Sequence, residues 1–203
     1  MRGDGMANVL IIIDVQNDFC PGGKLAVAGG NETVPVINGL AQDFDHVVLT
    51  QDWHPANHSS FASQHAGAAP FTQIEMPYGP QVLWPDHCII GSEGAAFHKG
   101  LDLHRCELII RKGFRAAIDS YSAFFENDHK TPTGLGGYLR ERGISNVTLV
   151  GLAFDYCVRY SAEDAKALGF EVTVIERATR AIDLGGTAEA TRKSFADCGI
   201  TLV

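Results

Sequence analysis

The chain has 203 residues, of which 45% are hydrophobic and 20% are charged, a composition typical of a soluble globular protein. Its formal net charge of −8 at pH 7 argues against a nucleic-acid partner, because binding nucleic acid needs Lys and Arg side chains to neutralise phosphates. No apolar run approaches the roughly 20 residues that span a bilayer, so we expect no membrane partner either.

The predicted elements alternate between strands and helices. The strands are continuous apolar runs rich in Val, Ile and Leu, which is typical of strands buried in a parallel sheet. In chain order we expect strand 9–15, helix 31–41, strands 46–51 and 107–111, helix 134–142, strand 146–151, helix 156–168, strand 171–175, helix 187–197 and strand 199–203. Asn31 is the expected N-cap of the first helix, and Gly143 and Gly169 follow two helix ends.

This alternation predicts an α/β fold, a three-layer α/β/α arrangement with a six-stranded, mostly parallel sheet. The length favours a single domain over residues 1–203, with residues 1–5 as a short leader or a remnant of cloning. One stretch, from 53 to about 105, shows little periodicity and holds six of the eight histidines. An irregular stretch of that length inside a compact domain is usually functional.

Reactive side chains lie at or just beyond the carboxyl ends of four of the predicted strands. Asp14 ends the first, Asp52 and His54 follow the second, Lys112 ends the third, and Cys157 follows the fourth after a short turn. Ligands of open α/β sheets bind outside the carboxyl ends of the strands, so these side chains are predicted to converge on one edge.

Cys157 is the candidate nucleophile of this edge. A thiol at the start of a helix meets unpaired backbone N–H groups, which favour the thiolate, and the ammonium of Lys112 would favour it further. Asp14 would take the thiol proton and later give it to a leaving amine. The backbone N–H groups near Ala153 and Cys157 would hold an oxyanion.

The segment DWHPANH is a candidate metal site. Asp52, His54 and His58 offer one carboxylate and two imidazoles, which suit Zn, Fe or Mn, and a further histidine would complete the set. His87 lies in LWPDHC, where a proline and an aromatic residue would fix a loop near the pocket. The alternative is that two loop histidines four residues apart are ordinary polar residues.

The cysteine count bears on the compartment. Five cysteines are an odd number without a regular framework, which favours a reduced, cytoplasmic setting. A single cysteine in an α/β protein is usually buried and inert. That interpretation applies to four of the five, namely Cys20, Cys88, Cys106 and Cys198.

Several blocks of sequence, in order along nearly the whole chain, resemble one family. They are IIIDVQNDFCPGGKLAV, TQDWHPANHSSF, LWPDHCIIGSEGAAFH, IIRKGF followed by DSYSAFF, and GLAFDYCVRYSAEDA. Through them the chain resembles the nicotinamidases, also called pyrazinamidases, of the isochorismatase-like cysteine hydrolase superfamily. The resemblance implies conversion of nicotinamide to nicotinate and ammonia, a step that feeds NAD salvage, and conversion of pyrazinamide to pyrazinoate.

The resemblance also implies roles for individual residues. The implied catalytic triad is Asp14, Lys112 and Cys157. The implied ligands of one divalent metal ion, with waters completing its coordination and no organic cofactor, are Asp52, His54, His58 and His87. A cis peptide is implied at Leu152–Ala153. The implied walls of a pocket for a flat aromatic ring are Phe19, Leu25, Trp84, Tyr121 and Tyr156.

Several alternatives stay open at the level of sequence. Phe154 is bulkier than the residue expected in the nucleophile turn, and it would either pack away from the pocket or narrow it. The substrate could be another small amide, the metal could be the hydrolytic centre with Cys157 incidental, or the chain could be a non-enzymatic metal-binding or scaffold protein. Composition leaves a monomer and a homo-oligomer equally open.

Overall fold

The architecture comes from a computed structural model that describes residues 7–203. The expected leader or cloning remnant at 1–5 lies outside the described residues. Over residues 7–203 the chain forms eight strands and four α-helices. In chain order they are β1 (Asn8–Ile13), α1 (Thr33–Leu40), β2 (His46–Asp52), β3 (Gln73–Met76), β4 (Gly79–Val82), β5 (Leu108–Lys112), α2 (Leu135–Glu141), β6 (Asn146–Leu152), α3 (Arg159–Ala167), β7 (Glu171–Arg180), α4 (Thr187–Cys198) and β8 (Thr201–Leu202).

The six predicted strands form one sheet in the described part of the chain, in the order β5-β2-β1-β6-β7-β8, and every neighbouring pair is parallel. The chain moves outward from β1 to β2 and β5, and then returns to the other side of β1 as β6. The strand order therefore reverses between β1 and β6. A crevice outside the carboxyl ends of the strands is expected at such a switch point.

The core lies on both faces of the sheet. Successive side chains of a strand point to opposite faces, so β1, buried along most of its length, contributes to two layers. Ile11 and Ile13 share a core with Phe195 of α4, whereas Leu10 packs with Ile37 of α1. Helices on both faces confirm the predicted three-layer α/β arrangement. None of the helices within residues 7–203 is long and apolar enough to cross a membrane.

Element ends differ from the predictions where polar residues continue or interrupt an element. The first helix begins at Thr33, because Asn31 lies inside a 3-10 turn, Gly30–Glu32, and does not cap the helix. The strand predicted at 171–175 continues to Arg180 through polar residues that the apolar pattern excludes. Gly143 and Gly169 do adopt the left-handed conformation (φ 67° and 89°) expected just past a helix.

Two further elements were not predicted. Inside the irregular stretch, β3 and β4 form an antiparallel hairpin, which the pattern missed because its residues are mostly polar or exposed. The helix expected at 156–168 is divided into α3 and a preceding π-helical turn, Phe154–Val158, that contains Cys157. The turn lines the cavity of the candidate active site, and Gln81 of the hairpin donates hydrogen bonds to residues of that cavity.

The central position of β1 leads to a stability prediction. Ile12 is 1% exposed and Ile109, on the edge strand β5, is 44% exposed. Ile12→Ala is expected to lower the free energy of unfolding by about 2–5 kcal/mol, because it leaves a cavity in the core. Ile109→Ala, the matched control, is expected to change it by about 0.5 kcal/mol. Urea denaturation of both variants checks this, and equal losses would contradict the layer assignment.

Candidate active site

The site is organised around the ammonium of Lys112, which is 1% exposed. Its Nζ lies 2.8 Å from Asp14 Oδ2 and forms a second ion pair with Asp52 Oδ1. Nζ also donates to the carbonyl oxygen of Ser120 at 2.9 Å and lies 3.5 Å from Sγ of Cys157. The structure therefore brings the three residues predicted as the triad together, with Asp52 as a fourth member of the cluster.

Two residues that sequence reasoning missed position Asp14 and Asp52, Thr50 through the carboxylate and backbone of Asp14 and Gln16 through the backbone of Asp52. Thr50 donates to Asp14 Oδ1 at 2.6 Å and accepts the backbone N–H of Asp14 at 3.2 Å. Gln16 accepts the backbone N–H of Asp52 at 2.8 Å and donates to its carbonyl oxygen at 2.9 Å. Both are buried polar residues in or beside an apolar strand. A buried polar side chain needs a hydrogen-bond partner, so a polar residue in or beside an apolar strand is a sequence signal for such a supporting role.

Burial sets the protonation states of the site. Burial raises the pKa of Asp14 to about 6; the Asp52 charge adds to the rise and Lys112 opposes it. Burial would lower the pKa of Lys112, but Asp14 and Asp52 raise it well above its usual range, so the ammonium stays charged. Burial also raises the pKa of the Cys157 thiol well above its usual range, more than Lys112 lowers it.

The raised pKa of Cys157 corrects the expectation of a thiolate favoured by a helix start. Cys157 is 6% exposed and lies in a π-helical turn before α3, facing two carboxylates as well as one ammonium. Its thiol therefore holds its proton near neutral pH and needs a base. Asp14 is the candidate base, because its oxygen lies within 4.8 Å of Sγ.

The turn that carries Cys157 follows β6 directly. The peptide bond between Leu152 and Ala153 is cis, and the backbone N–H of Val158 donates to the carbonyl oxygen of Ala153 at 3.1 Å. Phe154 does not line the cavity next to Cys157; it packs edge-to-face on Phe195 of α4, with ring centroids 5.7 Å apart. Phe154 therefore occupies the core and does not narrow the pocket.

Asp52, His54 and His87 form a group whose donor atoms all lie within 4.8 Å of one another. Nε2 of His54 and Nε2 of His87 lie 3.6 Å and 3.9 Å from Asp52 Oδ2. Each ring uses its Nδ1 on a backbone carbonyl oxygen at 2.8 Å, that of Gly113 for His54 and that of Pro85 for His87. Such bonds fix the orientation of metal-binding imidazoles and leave Nε2 for the ion. These three residues fit a divalent cation.

His58 does not join that group. Its donor atoms gather with His54 and Asp119 instead, and both ring nitrogens already have partners, Ser60 Oγ at 2.7 Å and the carbonyl oxygen of Ile118 at 3.1 Å. The structure thus brings together three of the four predicted metal ligands. It adds Asp119, a buried carboxylate in DSYSAFF that sequence reasoning did not single out.

One further group, formed by Asp14, Asp52 and Cys157, has metal-binding atom types. The ammonium of Lys112 contacts all three side chains. It already supplies the positive charge of this group, so a second cation there would meet direct repulsion.

The five residues predicted as pocket walls line one cavity, which opens onto the thiol and the metal-binding group. Trp84 and Tyr156 meet edge-to-face with ring centroids 4.9 Å apart, and Phe19 meets the His87 ring in the same way at 5.5 Å. The cavity is lined by Phe19, Leu25, Asp52, Trp84, His87, Asp119, Tyr121, Ala153, Tyr156, Cys157 and Ile182. Its aromatic walls suit a flat ring that carries a group reactive toward a thiol.

A buried thiol, a base and an ammonium at the switch point of a parallel sheet define a site of the cysteine-hydrolase type. The chain belongs to the isochorismatase family, since residues 8–202 match the isochorismatase domain.

Individual relatives share more than the domain. The chain is 56% identical over 180 residues to a nicotinamidase of Acinetobacter baylyi, and this alignment covers 89% of this chain and 84% of that protein. A solved structure, the nicotinamidase/pyrazinamidase of Acinetobacter baumanii, matches with a TM-score of 0.97 and 52% identity, covering 98% and 97% of the two chains. The solved structure of the pyrazinamidase of Pyrococcus horikoshii in complex with zinc matches with a TM-score of 0.78 and 32% identity, and the match covers 97% of this chain and 98% of that chain.

The contact between Gly113 and His54 leads to a prediction. Gly113 has φ of +68°, and a Cβ added to it would collide with the His54 ring. Gly113→Ala is therefore expected to weaken metal affinity at least about tenfold, because it displaces a ligand and its backbone partner. In Gly137→Ala, the control in α2, the added Cβ meets nothing within 4 Å, and affinity is expected to stay unchanged. Metal titration of both proteins checks this, and wild-type affinity in Gly113→Ala would contradict it.

Proposed function

We propose that this protein hydrolyses nicotinamide to nicotinate and ammonia through a thioester on Cys157. The proposal rests on one observation: the same cavity opens onto the Cys157 thiol and onto Asp52 and His87 of the metal-binding group. A ligand there would reach a nucleophile with one end and a cation with the other. The nicotinamidase names of the similar proteins support this choice of substrate, and pyrazinamide is the second substrate proposed.

The first half-reaction forms the thioester. Asp14 accepts the thiol proton as Sγ of Cys157 attacks the carboxamide carbon, and the carbonyl electron pair moves to oxygen. The backbone N–H groups of Ala153 and Cys157 donate hydrogen bonds that stabilise this oxyanion. Asp14 then gives the proton to the amide nitrogen, the C–N bond breaks, and ammonia leaves.

The second half-reaction releases the acid. Asp14 takes a proton from water, whose oxygen attacks the thioester carbon. The C–S bond breaks, Asp14 returns its proton to the Cys157 sulfur, and nicotinic acid leaves and releases its remaining proton to solvent as nicotinate. The ammonium of Lys112, paired with Asp14 and Asp52, remains charged throughout and stabilises the sulfur whenever it is anionic.

The metal site is proposed to hold one divalent ion, Zn, Fe or Mn, on Asp52, His54 and His87, a donor set that accepts each of them. When bound, the ion would supply a Lewis-acid anchor for the ring nitrogen of the substrate. His58, predicted as a fourth ligand, is proposed instead to support His54, whose ring centroid lies 4.3 Å away. Burial lowers the pKa of His87 to about 4, which keeps this imidazole neutral, the form that binds metal.

The product would enter NAD salvage, and a cytoplasmic location is proposed with it. The partner in this proposal is a small molecule; a monomer and a homo-oligomer both fit it. The formal charge of −8 argues against a nucleic-acid partner.

Replacing the nucleophile separates this proposal from a metal-centred hydrolase. Cys157→Ala is expected to lower ammonia release from nicotinamide about 10⁴-fold or more, because no thioester can form, while metal content stays at the wild-type level. Cys198→Ala, which changes an exposed cysteine, is the control and should keep full activity. A Cys157→Ala protein that still turns over nicotinamide would make the metal the hydrolytic centre.

The pKa of Asp14 predicts the acidic limb of the pH profile. Asp14 works as a base only when ionised, so kcat/KM is expected to rise with pH until about 6 and then level off. The value of kcat/KM falls on the acidic side because protonated Asp14, which cannot accept the thiol proton, accumulates below this raised pKa. Initial rates across this range, with folding followed by circular dichroism, check it. A flat profile through pH 6 in a folded protein would remove Asp14 as the base.

A further inference from the structure

Gln81 lies on β4, in the hairpin that the sequence pattern missed, and its side chain is 1% exposed. Its amide nitrogen donates to Asp119 Oδ2 at 2.9 Å and to the Tyr121 hydroxyl at 2.9 Å. Both of these residues line the substrate cavity. We infer that Gln81 is a positioning residue that fixes one wall of the cavity and so sets its affinity for the substrate, an inference that rests on the proposed function.

The orientation of the Gln81 amide is fixed by its surroundings. Its Oε1 accepts hydrogen bonds from the Tyr78 hydroxyl at 3.1 Å and from Asn127 Nδ2 at 3.2 Å. The opposite side of the amide faces the Asp119 carboxylate, which accepts hydrogen bonds when ionised. Nε2 also lies 2.8 Å from the carbonyl oxygen of Val82, so three acceptors share its two N–H groups. A flipped amide would place Oε1 against both this carbonyl oxygen and the carboxylate, which favours the observed orientation.

Tyr121 is held at two points by this arrangement. Its backbone N–H donates to Asn127 Oδ1 at 3.0 Å, and its hydroxyl oxygen accepts from Gln81 and, at 3.1 Å, from Trp84 Nε1. The ring meets those of Trp84 and Tyr156 edge-to-face, with centroids 6.2 Å and 5.7 Å away. Removing the Gln81 amide would release the hydroxyl end of the ring and loosen the aromatic wall.

Asp119 is held at both oxygens. Oδ1 accepts the backbone N–H of Ser120 at 2.8 Å, and Oδ2 accepts from Gln81. The Asp119 carboxylate gathers with the ring nitrogens of His54 and His58 within 4.8 Å. Gln81 thus controls where a buried negative charge stands relative to the ring-binding end of the cavity.

The hydrogen bonds of Gln81 go to the cavity wall and not to the triad, so its loss should affect binding more than chemistry. Gln81→Met keeps the volume and removes the hydrogen bonds. KM for nicotinamide is expected to rise about tenfold, the usual cost of losing a buried hydrogen bond to a charged group, with kcat within about twofold of wild type. Gln73→Met, an exposed change on β3, is the control and should leave both constants unchanged.

A second measurement does not depend on turnover. Alkylation of Cys157 by N-ethylmaleimide, followed by peptide mapping, is expected to be several-fold faster in Gln81→Met than in Gln73→Met, because the loosened wall admits the reagent. If the wild-type protein releases no ammonia from nicotinamide, the proposed function fails, and the alkylation rates still decide the role of Gln81.

Two different results would contradict the role inferred for Gln81. Equal KM and equal alkylation in Gln81→Met and the control would overturn the inference, as would a fall in kcat with KM unchanged. If Gln81→Met does not fold, Tyr78→Phe decides, since it removes one donor to Gln81 Oε1 and leaves the amide in place. A KM increase of about twofold to threefold is then expected, and an unchanged KM would overturn the inference.

Discussion

The site depends on one buried positive charge shared by two carboxylates. Lys112, Asp14 and Asp52 are each at most 4% exposed, and charges so deeply buried are tolerated only when they are paired. The sheet makes the pairing possible, because β5, β2 and β1 are neighbours and each brings one of these residues to its carboxyl end. Asp52 and Lys112 are direct register partners. Any shift in that register would separate a buried ion pair.

Asp52 connects the two halves of the proposed chemistry. Its Oδ1 pairs with Lys112 beside the Cys157 thiol, and its Oδ2 faces the imidazoles of the metal-binding group. The burial that makes this pairing necessary also raises the pKa of Asp14 to about 6 and holds the proton on Cys157. In the proposed chemistry Cys157 and Asp14 therefore rest as thiol and carboxylate, and the proton moves only when the substrate is attacked.

Strand periodicity and parallel topology were enough to predict that the three candidate triad residues lie close together. Asp14 lies at the carboxyl end of a predicted strand, Lys112 and Cys157 follow two others, and the carboxyl ends of parallel strands meet at one edge of a sheet. The raised thiol pKa was not predictable, since it depends on burial and on Asp52 nearby in space. The Gln81 contacts were missed for a similar reason: its hairpin carries no apolar period, and its partners lie 38 and 40 residues further along the chain.

The most direct test of the proposed chemistry is the capture of its covalent intermediate. Wild-type protein mixed with excess nicotinamide and quenched in acid within the first turnovers would be digested and analysed by mass spectrometry. A thioester mechanism predicts that the peptide containing Cys157 carries one nicotinoyl group, and that the Cys157→Ala protein carries none. Ammonia release at the full rate with no acyl group on Cys157, or with one on another residue, would contradict it.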